Sequence, residues 1–412
     1  MRILHTSDWH LGRRFHGASL MHEQQEVVDR LVDLAAEAKV DLVVIAGDLY
    51  DRAIPPADAV RLFDDALVQL RATGAKVVAI VGNHDSPSRV AIADRVLEQA
   101  GVTVRGDVGR CLQPVQIDAD DNGPPVLVYP VPYLEPALAG QVLNKLGALS
   151  SEASDVADSE AEDAETADRE RTRRANHHDV TAHATALIRR HATAAGATRT
   201  IVVAHTFVDG GTTTDSERDL SIGNIDRVDL EVFDGFDYVA LGHLHRSQPF
   251  DNGRIAYSGS PLAYSFSEED QIKSVRIVEM DAAGRCCTEI VPLGVGLPLR
   301  TLCGRLADLL RDPAFDDAEQ ARVRFQLTDP ELPLQAMKRL QARFRHAVAL
   351  EHHPEGRMSP GSQDVVGAVE NSESPLDLIR RFWADQHGAD ASDAQEEVLA
   401  SALAAAAAGN ET

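Results

Sequence analysis

Five short apolar segments, each ending in a cluster of polar residues, constrain the fold of this chain more than any other feature of it. Each segment is rich in β-branched residues and is bounded by residues that favour turns, a pattern typical of a buried β-strand. The five segments are Ile3–Thr6, Leu42–Ala46, Val77–Val81, Ile201–Ala204 and Tyr238–Leu241. They predict the buried strands of the fold.

Helical patterns lie between the first strands. Apolar residues recur at helical spacing over 27–38 and again over 60–70. Ser86 and Pro87 predict the start of another helix, because serine is a favoured N-cap and proline fits the first helical turn. Strands that alternate with helices predict an α/β domain. At 412 residues the chain is too long for one ordinary core, so we expect two or three domains.

The polar clusters that follow the predicted strands carry the candidate chemistry. They are Asp8-Trp9-His10, Gly47-Asp48-Leu49-Tyr50-Asp51, Gly82-Asn83-His84-Asp85, His205 and Gly242-His243-Leu244-His245. In α/β sheets, ligands bind at the carboxyl ends of the strands. We therefore expect the five clusters to converge on one place.

The residue types in these clusters suit a divalent metal ion. Carboxylate oxygen, amide oxygen and imidazole nitrogen are ligands for Mn²⁺, Fe²⁺ or Zn²⁺, and the lack of cysteine argues against a structural zinc site. Each cluster alone also has a plain structural explanation, a turn for Asp8-Trp9-His10 or Gly47-Asp48 and a hydrogen-bonded core histidine for His205. The shared order and strand context favour a metal site.

These motifs, in this order, resemble those of the calcineurin-like metallophosphoesterases. Within them, four further segments resemble the SbcD family of bacterial nuclease subunits: residues 6–12, Ser216-Glu217-Arg218-Asp219 with Ile222-Gly223, residues 237–245, and Tyr257-Ser258-Gly259-Ser260-Pro261. The similarity is close over residues 1–292 and loose beyond. It implies a four-layer α-β-β-α sandwich, a smaller α/β capping domain and a C-terminal helical hairpin.

The resemblance also implies a role for each site residue. Seven side chains would hold two divalent ions, with Mn²⁺ as the expected metal: Asp8, His10 and His245 on the first, Asn83, His205 and His243 on the second, and Asp48 on both. His84 would face the scissile phosphate and act in catalysis, with Asp85 able to orient it. Archaeal and eukaryotic relatives have histidine where this chain has Asp51, so the role of Asp51 is open.

The net charge of −25 argues at first against a DNA partner. Residues 151–170 and 363–412 contribute −8 each, which leaves −9 for the remainder. DNA binding would therefore depend on the metals and on local basic groups such as Arg13 and Arg14, which could equally belong to a solvated loop. No apolar run approaches the roughly 20 residues that span a membrane, and we expect a cytoplasmic protein.

The pattern along the chain predicts four parts. A nuclease domain is expected over 1–295, with a disordered acidic insertion near 150–172 that has too little apolar surface to order itself. A capping domain is expected over 296–355, with helices near 304–312 and 334–344 and strands at 322–327 and 347–350. A linker over 356–373 leads to a helical hairpin over 374–408, where Ser374 and Ser392 cap the two helices.

The favoured function is a Mn-dependent DNA nuclease subunit, acting as a 3′–5′ double-strand exonuclease and a single-strand or hairpin endonuclease in DNA repair and recombination. The resemblance implies an SbcC-like ATPase partner, bound through the hairpin, and a homodimer within a heterotetramer. The alternative is a small-molecule or protein phosphoesterase on the same scaffold. A catalytically dead binding subunit is disfavoured, because all seven expected ligands and His84 are present.

Overall fold

The computed structural model describes residues 1–118, 123–151, 176–217, 227–354, 376–377, 379–380, 383 and 391–409. Three predicted features fall wholly or mainly outside these residues: the acidic insertion, the linker over 356–373, and the first helix of the C-terminal hairpin. The second half of the Ser216-Glu217-Arg218-Asp219 segment also lies outside them.

The five apolar segments all form strands, as predicted. The strands are β1 Arg2–Thr6, β2 Arg14–Phe15, β3 Ala18–Ser19, β4 Leu42–Ala46, β5 Lys76–Ile80, β6 Val102–Arg105, β7 Val115–Ile117, β8 Val126–Pro130, β9 Thr200–His205, β10 Tyr238–Gly242, β11 Gln248–Phe250, β12 Ile255–Tyr257, β13 Ser274–Met280, β14 Cys286–Pro292, β15 Leu299–Gly304, β16 Arg322–Leu327 and β17 Ala347–His352. The predicted segments correspond to β1, β4, β5, β9 and β10.

Helices separate the strands. They are α1 Met21–Glu37, α2 Ala57–Ala72, α3 Pro87–Val90, α4 Asp94–Gln99, α5 Pro136–Ser151, α6 His177–Ala194, α7 Leu306–Leu309, α8 Ala336–Arg343 and α9 Asp393–Gly409. Ser86 occupies the N-cap of α3 in an extended conformation, as its sequence predicts. Asn176 begins α6 with a capping box, in which it and Asp179 satisfy each other's backbone N–H groups.

Two six-stranded sheets form the body of the protein. The first has the order β14-β13-β1-β4-β5-β6, and the second has the order β11-β12-β10-β9-β8-β7. In the first, β1, β4, β5 and β6 are parallel. In the second, β12, β10, β9 and β8 are parallel. Parallel strands end at the same edge, so each sheet collects the loops that follow its strands at one edge.

The sheets pack face to face, and helices cover their outer faces. An inner layer joins residues of both sheets, among them Val44, Ile80 and Val203. The outer face of the first sheet packs on α1 and α2, and that of the second packs on α5 and α6. The four-layer α-β-β-α architecture predicted for this chain is therefore confirmed.

The chain divides into two compact units, with Met1–Thr301, Phe315–Arg324 and Phe344–Ala349 in the first and Leu302–Ala314, Phe325–Arg343 and Leu350–Thr412 in the second. Strands β15, β16 and β17 form a separate three-stranded sheet, in the order β15-β16-β17. The helix expected over 304–312 is shorter, Leu306–Leu309, and Arg305 before it is extended. Among the described residues, no helix is both long and apolar enough to cross a bilayer.

Candidate metal centre

The loops that follow β1, β4, β5, β9 and β10 meet where the two sheets approach each other at their carboxyl ends. Ligand atoms of Asp8, His10 and His245 lie within 4.8 Å of one another, and so do those of Asp8, Asp48 and His205. Asn83 adjoins them through a contact to His205, and His243 contacts the same amide oxygen of Asn83. The structure thus brings together all seven side chains that the sequence proposes as metal ligands.

The backbone at four of these residues has a conformation that side chains rarely adopt. Asp8, His10, Asp48 and His243 have positive φ angles of 54°, 44°, 49° and 111°. Such residues cost of the order of 1–3 kcal/mol each and concentrate at functional sites. Neighbouring loops hold them in place, since Asp8 N donates to the carbonyl of Gly47 and His10 N to that of Asp48, both at 3.0 Å.

Two glycines allow the loops and sheets to approach this closely. A Cβ on Gly82 would lie 2.1 Å from Oδ1 of Asp48, and a Cβ on Gly242 would lie 1.8 Å from the carbonyl oxygen of Ala46. Gly242 ends a strand of the second sheet, and Ala46 ends a strand of the first. A side chain at either glycine would force the centre apart.

His205 and His243 face the amide oxygen of Asn83. Nδ1 of His205 donates to the carbonyl of Ala46 at 2.9 Å, which leaves Nε2 without a proton in the neutral ring. That Nε2 lies 2.9 Å from Oδ1 of Asn83, and Nδ1 of His243 lies 3.3 Å from the same oxygen. Nε2 of His205 and Oδ1 of Asn83 are therefore two electron-pair donors that face each other without a hydrogen between them, an arrangement that a cation would stabilise.

The second half of the centre is built from Asp8, His10 and His245. Nε2 of His10 lies 3.0 Å from Nε2 of His245. Nδ1 of His10 is buried and has no hydrogen-bond partner among the described residues. Ser7 donates to Oδ2 of Asp8, and the backbone N–H of His243 donates to Oδ1.

Electrostatics favour a cation at this place. Burial raises the pKa of Asp8 well above its usual range, and the charge of Asp48 raises it further. Burial lowers the pKa of His10, His205 and His243, so these rings are neutral. Neutral imidazoles and two buried carboxylates are the donor set that divalent transition metals bind. The residues present therefore fit a divalent metal centre.

His84 lies at the edge of this centre, with its side chain 14% exposed. Its Nδ1 donates to the backbone carbonyl of Asp51 at 2.8 Å, and its Nε2 is 4.0 Å from Oδ2 of Asp48. Because a carbonyl oxygen can only accept, Nδ1 keeps its proton, and Nε2 is the atom that can take or give one.

Asp85 has a different place from the one the sequence suggested. Instead of orienting the ring of His84, its carboxylate accepts hydrogen bonds from the backbone N–H groups of Gly82, Leu49 and Tyr50, at 2.8, 3.0 and 2.9 Å. It thereby joins the loop after β4 to the loop after β5. A short carboxylate directed into two turns satisfies buried amide groups that would otherwise lack partners.

Arg13 lies beside the centre, and Arg14 has no contact to it among the contacts of the described residues. Nη1 of Arg13 is 3.6 Å from a carboxylate oxygen of Asp51, and Nη2 donates to the carbonyl of Ser216 at 3.0 Å. The guanidinium also lies over the ring of Tyr264, 5.0 Å from its centroid. Arg14 is exposed and donates to the carbonyl of Gly17. Asp51 thus supports both His84, through its backbone, and Arg13, through its side chain.

Three polar residues that support the centre were not identified as site residues from the sequence. The side chain of Ser216 contacts His245, Glu268 contacts Ser216, and Lys273 forms an ion pair with Glu268. Burial alone would raise the pKa of Glu268, but interactions with His245 and Lys273 outweigh it and lower the pKa to about 2. Ser216 lay in a segment noted for its family resemblance, whereas Glu268 and Lys273 follow no strand and gave no signal.

Two solved structures illustrate a loose likeness to this chain. The crystal structure of TT1561 of Thermus thermophilus has 14% sequence identity and a TM-score of 0.36, with 70% of this chain and 98% of that one covered. GAP50, described as the anchor in the inner membrane complex of Plasmodium, has 10% identity and a TM-score of 0.41, with 86% and 98% covered. Neither likeness is strong enough to support an inference about function.

Sequence comparisons are more informative. The SbcD subunit of the SbcCD nuclease of Bacillus subtilis (strain 168) is 35% identical over 308 residues, which cover 73% of this chain and 71% of that relative. The family described as calcineurin-like phosphoesterase matches residues 1–247, the part that contains all seven candidate ligands and His84. The chain therefore belongs to the calcineurin-like phosphoesterase family and, within it, is similar to the SbcD nuclease subunit.

Proposed function

We propose that this chain is the Mn-dependent nuclease subunit of an SbcCD-like complex. It would degrade duplex DNA from 3′ to 5′ and cut single strands and hairpins in DNA repair and recombination. One observation carries the proposal: five loops from two sheets bring three carboxylate or amide side chains and four imidazoles to one place. The similarity to a curated nuclease subunit supports DNA as the substrate.

Seven residues would hold two divalent ions. Asp8, His10 and His245 would hold one, Asn83, His205 and His243 the other, and Asp48 both. When bound, such ions lower the pKa of a water molecule and offset the negative charge that develops on the phosphate. The protein contributes the fixed geometry: His205 and His84 each have one ring nitrogen committed to a backbone carbonyl.

His84 would act on the phosphodiester itself. As an imidazolium, it would donate the Nε2 proton to the oxygen that leaves phosphorus, or use that N–H to stabilise negative charge on the phosphate. General acid catalysis of this kind contributes about 10²–10⁴-fold. The backbone carbonyl of Asp51 orients the ring of His84. Because this contact uses the backbone, it does not require the histidine that archaeal and eukaryotic relatives have at this position.

Arg13 is the better placed of the two proposed DNA contacts. Three groups fix its guanidinium beside the centre, and arginine offers donors that match phosphate oxygens. We expect it to contact a backbone phosphate next to the scissile one. Arg14, which is exposed, would make a weaker, salt-sensitive contact.

The remaining parts of the chain would serve substrate choice and assembly. Residues 296–355 would cap the centre and help to discriminate DNA forms. The hairpin over 374–408 would bind an SbcC-like ATPase through its apolar positions. Helix α9 begins at Asp393, with Ser392 donating to the side chain of Gln395 at its start, which supports a stable second helix of that hairpin.

A homodimer is part of the proposal. Several large apolar side chains on or beside α2, α3 and α4 are exposed: Ile54, Val60, Val68, Ile92 and Val96. A second copy of the chain would cover apolar side chains of this kind. Light scattering that returned the mass of a monomer at micromolar concentration would contradict this assembly.

A direct assay separates the proposed function from the alternative. The purified chain is incubated with Mn²⁺ and either blunt duplex DNA, hairpin DNA or a nitrophenyl phosphodiester. The proposal expects end-dependent degradation of the duplex and nicking of the hairpin, both abolished by a chelator and restored by Mn²⁺. Turnover of the small ester without any DNA cleavage would favour a small-molecule phosphoesterase.

A further inference from the structure

We infer that Ser216 and Glu268 are positioning residues that fix the ring of His245, and that occupancy of one of the two metal positions depends on them. The inference rests on the proposed dinuclear centre and deepens it. Ser216, Glu268 and His245 are 6%, 1% and 1% exposed, so water has little access to compete for their contacts.

The contacts form a chain in one direction. Nδ1 of His245 is 2.5 Å from Oγ of Ser216, and that hydroxyl donates to Oε1 of Glu268, also at 2.5 Å. A carboxylate can only accept, and Oγ1 of Thr214, the other neighbour of this hydroxyl at 2.8 Å, donates its own proton to Oε2 of Glu217, so the single hydroxyl proton of Ser216 is directed away from His245. The hydroxyl oxygen must then accept from Nδ1 of His245.

This direction decides the tautomer of His245. A neutral ring with its proton on Nδ1 has its lone pair on Nε2, the atom 3.0 Å from Nε2 of His10. Nε2 therefore faces the group formed with Asp8 and His10 as a ligand atom. Partners of this type hold a metal-binding histidine in the required tautomer and orientation.

Two further side chains hold the backbone of His245. Its N–H donates to Oε1 of Glu217 at 2.7 Å, and its carbonyl accepts from Nζ of Lys273 at 2.9 Å. Lys273 in turn forms an ion pair with Glu268. Lys273 thus neutralises the charge of Glu268 and also hydrogen-bonds the backbone of His245.

The dependence should be confined to one half of the centre. His205, in the other half, has its Nδ1 committed to the carbonyl of Ala46, a backbone atom that no substitution at Ser216 removes. Loss of the Ser216 hydroxyl is therefore expected to weaken the position formed by Asp8, His10 and His245 and to spare the position of His205.

Ser216→Ala and Ser267→Ala form a matched pair for the test. Ser267 is an exposed serine of the adjacent turn whose Oγ accepts from the backbone of Asp215, so its loss removes a hydroxyl from the same region without touching His245. Mn²⁺ binding to the full-length proteins is measured by titration calorimetry and by electron paramagnetic resonance, with thermal unfolding as the check on folding. Glu268→Gln provides a second variant.

The wild type and Ser267→Ala should bind two ions and show the spectrum of a spin-coupled pair. Ser216→Ala should bind one ion about 10–100-fold more weakly and show the hyperfine pattern of isolated Mn²⁺ at equal metal concentration. Glu268→Gln should shift in the same direction. Two unchanged affinities in folded Ser216→Ala and Glu268→Gln would overturn the inference and leave the dinuclear centre standing. A wild type that binds fewer than two ions would overturn the dinuclear centre, and the inference with it.

Discussion

In two histidines of the site, a hydrogen bond at Nδ1 leaves Nε2 as the available ring nitrogen. Nδ1 of His205 donates to the carbonyl of Ala46 and Nδ1 of His84 to that of Asp51. In these two rings the available nitrogen is therefore set by backbone atoms, whereas in His245 it depends on the side chain of Ser216. The two rings differ in their place: His205 lies among the candidate metal ligands, and His84 lies beside the centre. Metal binding and catalysis should therefore be separable at the level of single residues.

Replacement of His84 by glutamine should separate metal binding from cleavage. Glutamine can still accept or donate hydrogen bonds, but it cannot take or give a proton, so we expect two bound ions and a loss of DNA cleavage of about 10²–10⁴-fold. Elemental analysis and single-turnover cleavage with Mn²⁺ measure the two effects. Cleavage at the wild-type rate by the purified variant would reject the role assigned to His84.

Gly82→Ala should damage the centre through packing alone. Its Cβ would lie 2.1 Å from Oδ1 of Asp48 and must displace that carboxylate. We expect weaker binding of both ions by calorimetry and a loss of unfolding free energy of about 1–3 kcal/mol, typical of overpacking.

Gly147→Ala is the control for this substitution. Its Cβ would meet the ring of His183 at an ordinary 3.5 Å, and it lies within α5. Alanine in a helix is favoured over glycine by about 0.5–1 kcal/mol, so this variant should keep its metal and gain slight stability. Equal metal affinity in both variants would show that the approach of Gly82 to Asp48 does not matter.

At the scale of elements, the centre depends on how two sheets are joined. His5 of β1, in the first sheet, hydrogen-bonds β10 of the second sheet through both ring nitrogens. Nε2 donates to the carbonyl of Leu241 at 3.1 Å, and Nδ1 lies 2.9 Å from Oη of Tyr238. Burial, together with a smaller effect of the charge of Arg276, lowers the pKa of His5 to about 3. This buried neutral imidazole ties the two sheets together beneath the metal-binding loops.

The pH dependence of stability should report this junction. Because the unfolded chain protonates His5 near pH 6.5 and the folded protein only near 3, stability is lost as pH falls through 6.5 toward 3. His5 alone should cost about 2 kcal/mol near pH 5. Urea unfolding of the chelated protein at neutral pH and near pH 5 measures the loss, and His5→Gln should reduce it by that amount. The same pH dependence in both proteins would contradict this account.

At the scale of the whole molecule, the two compact units divide the proposed work. The first contains both large sheets and every candidate ligand, and the second contains the C-terminal residues. The proposed nuclease chemistry needs only groups of the first unit, whereas the proposed ATPase contact lies in the second. Cleavage and partner binding should therefore be separable by truncation.

Deletion of residues 365–412 should leave basal Mn²⁺-dependent cleavage and abolish coupling to the ATPase. The centre and its supporting contacts all lie before residue 302, so the nuclease activity should stay within about twofold of the full chain. A pull-down with an SbcC-like ATPase and a cleavage assay with ATP measure the loss. Undiminished ATPase binding by the truncated protein would refute the role of the tail.

The sequence by itself determined the five strands that precede the motifs, the order of those motifs and, through the family resemblance, the candidate ligands. Local chemistry explains this: runs of β-branched residues such as Val43–Ile45 favour buried strands, and aspartate, asparagine and histidine directly after them favour metal binding. Trp9, in the first of these clusters, is 1% exposed and packs in the hydrophobic core. Such properties are encoded within a few neighbouring residues.

Only the tertiary structure decided which atoms support the centre. Glu268 and Lys273 reach His245 from a turn more than twenty residues further along the chain, and Asp85 serves the backbone of two loops rather than its neighbour His84. The left-handed backbone at Asp8 and Asp48 likewise depends on packing between loops. These contacts join residues that are distant in sequence. A sequence pattern does not contain the distances between such residues, which are fixed only when the two sheets pack together.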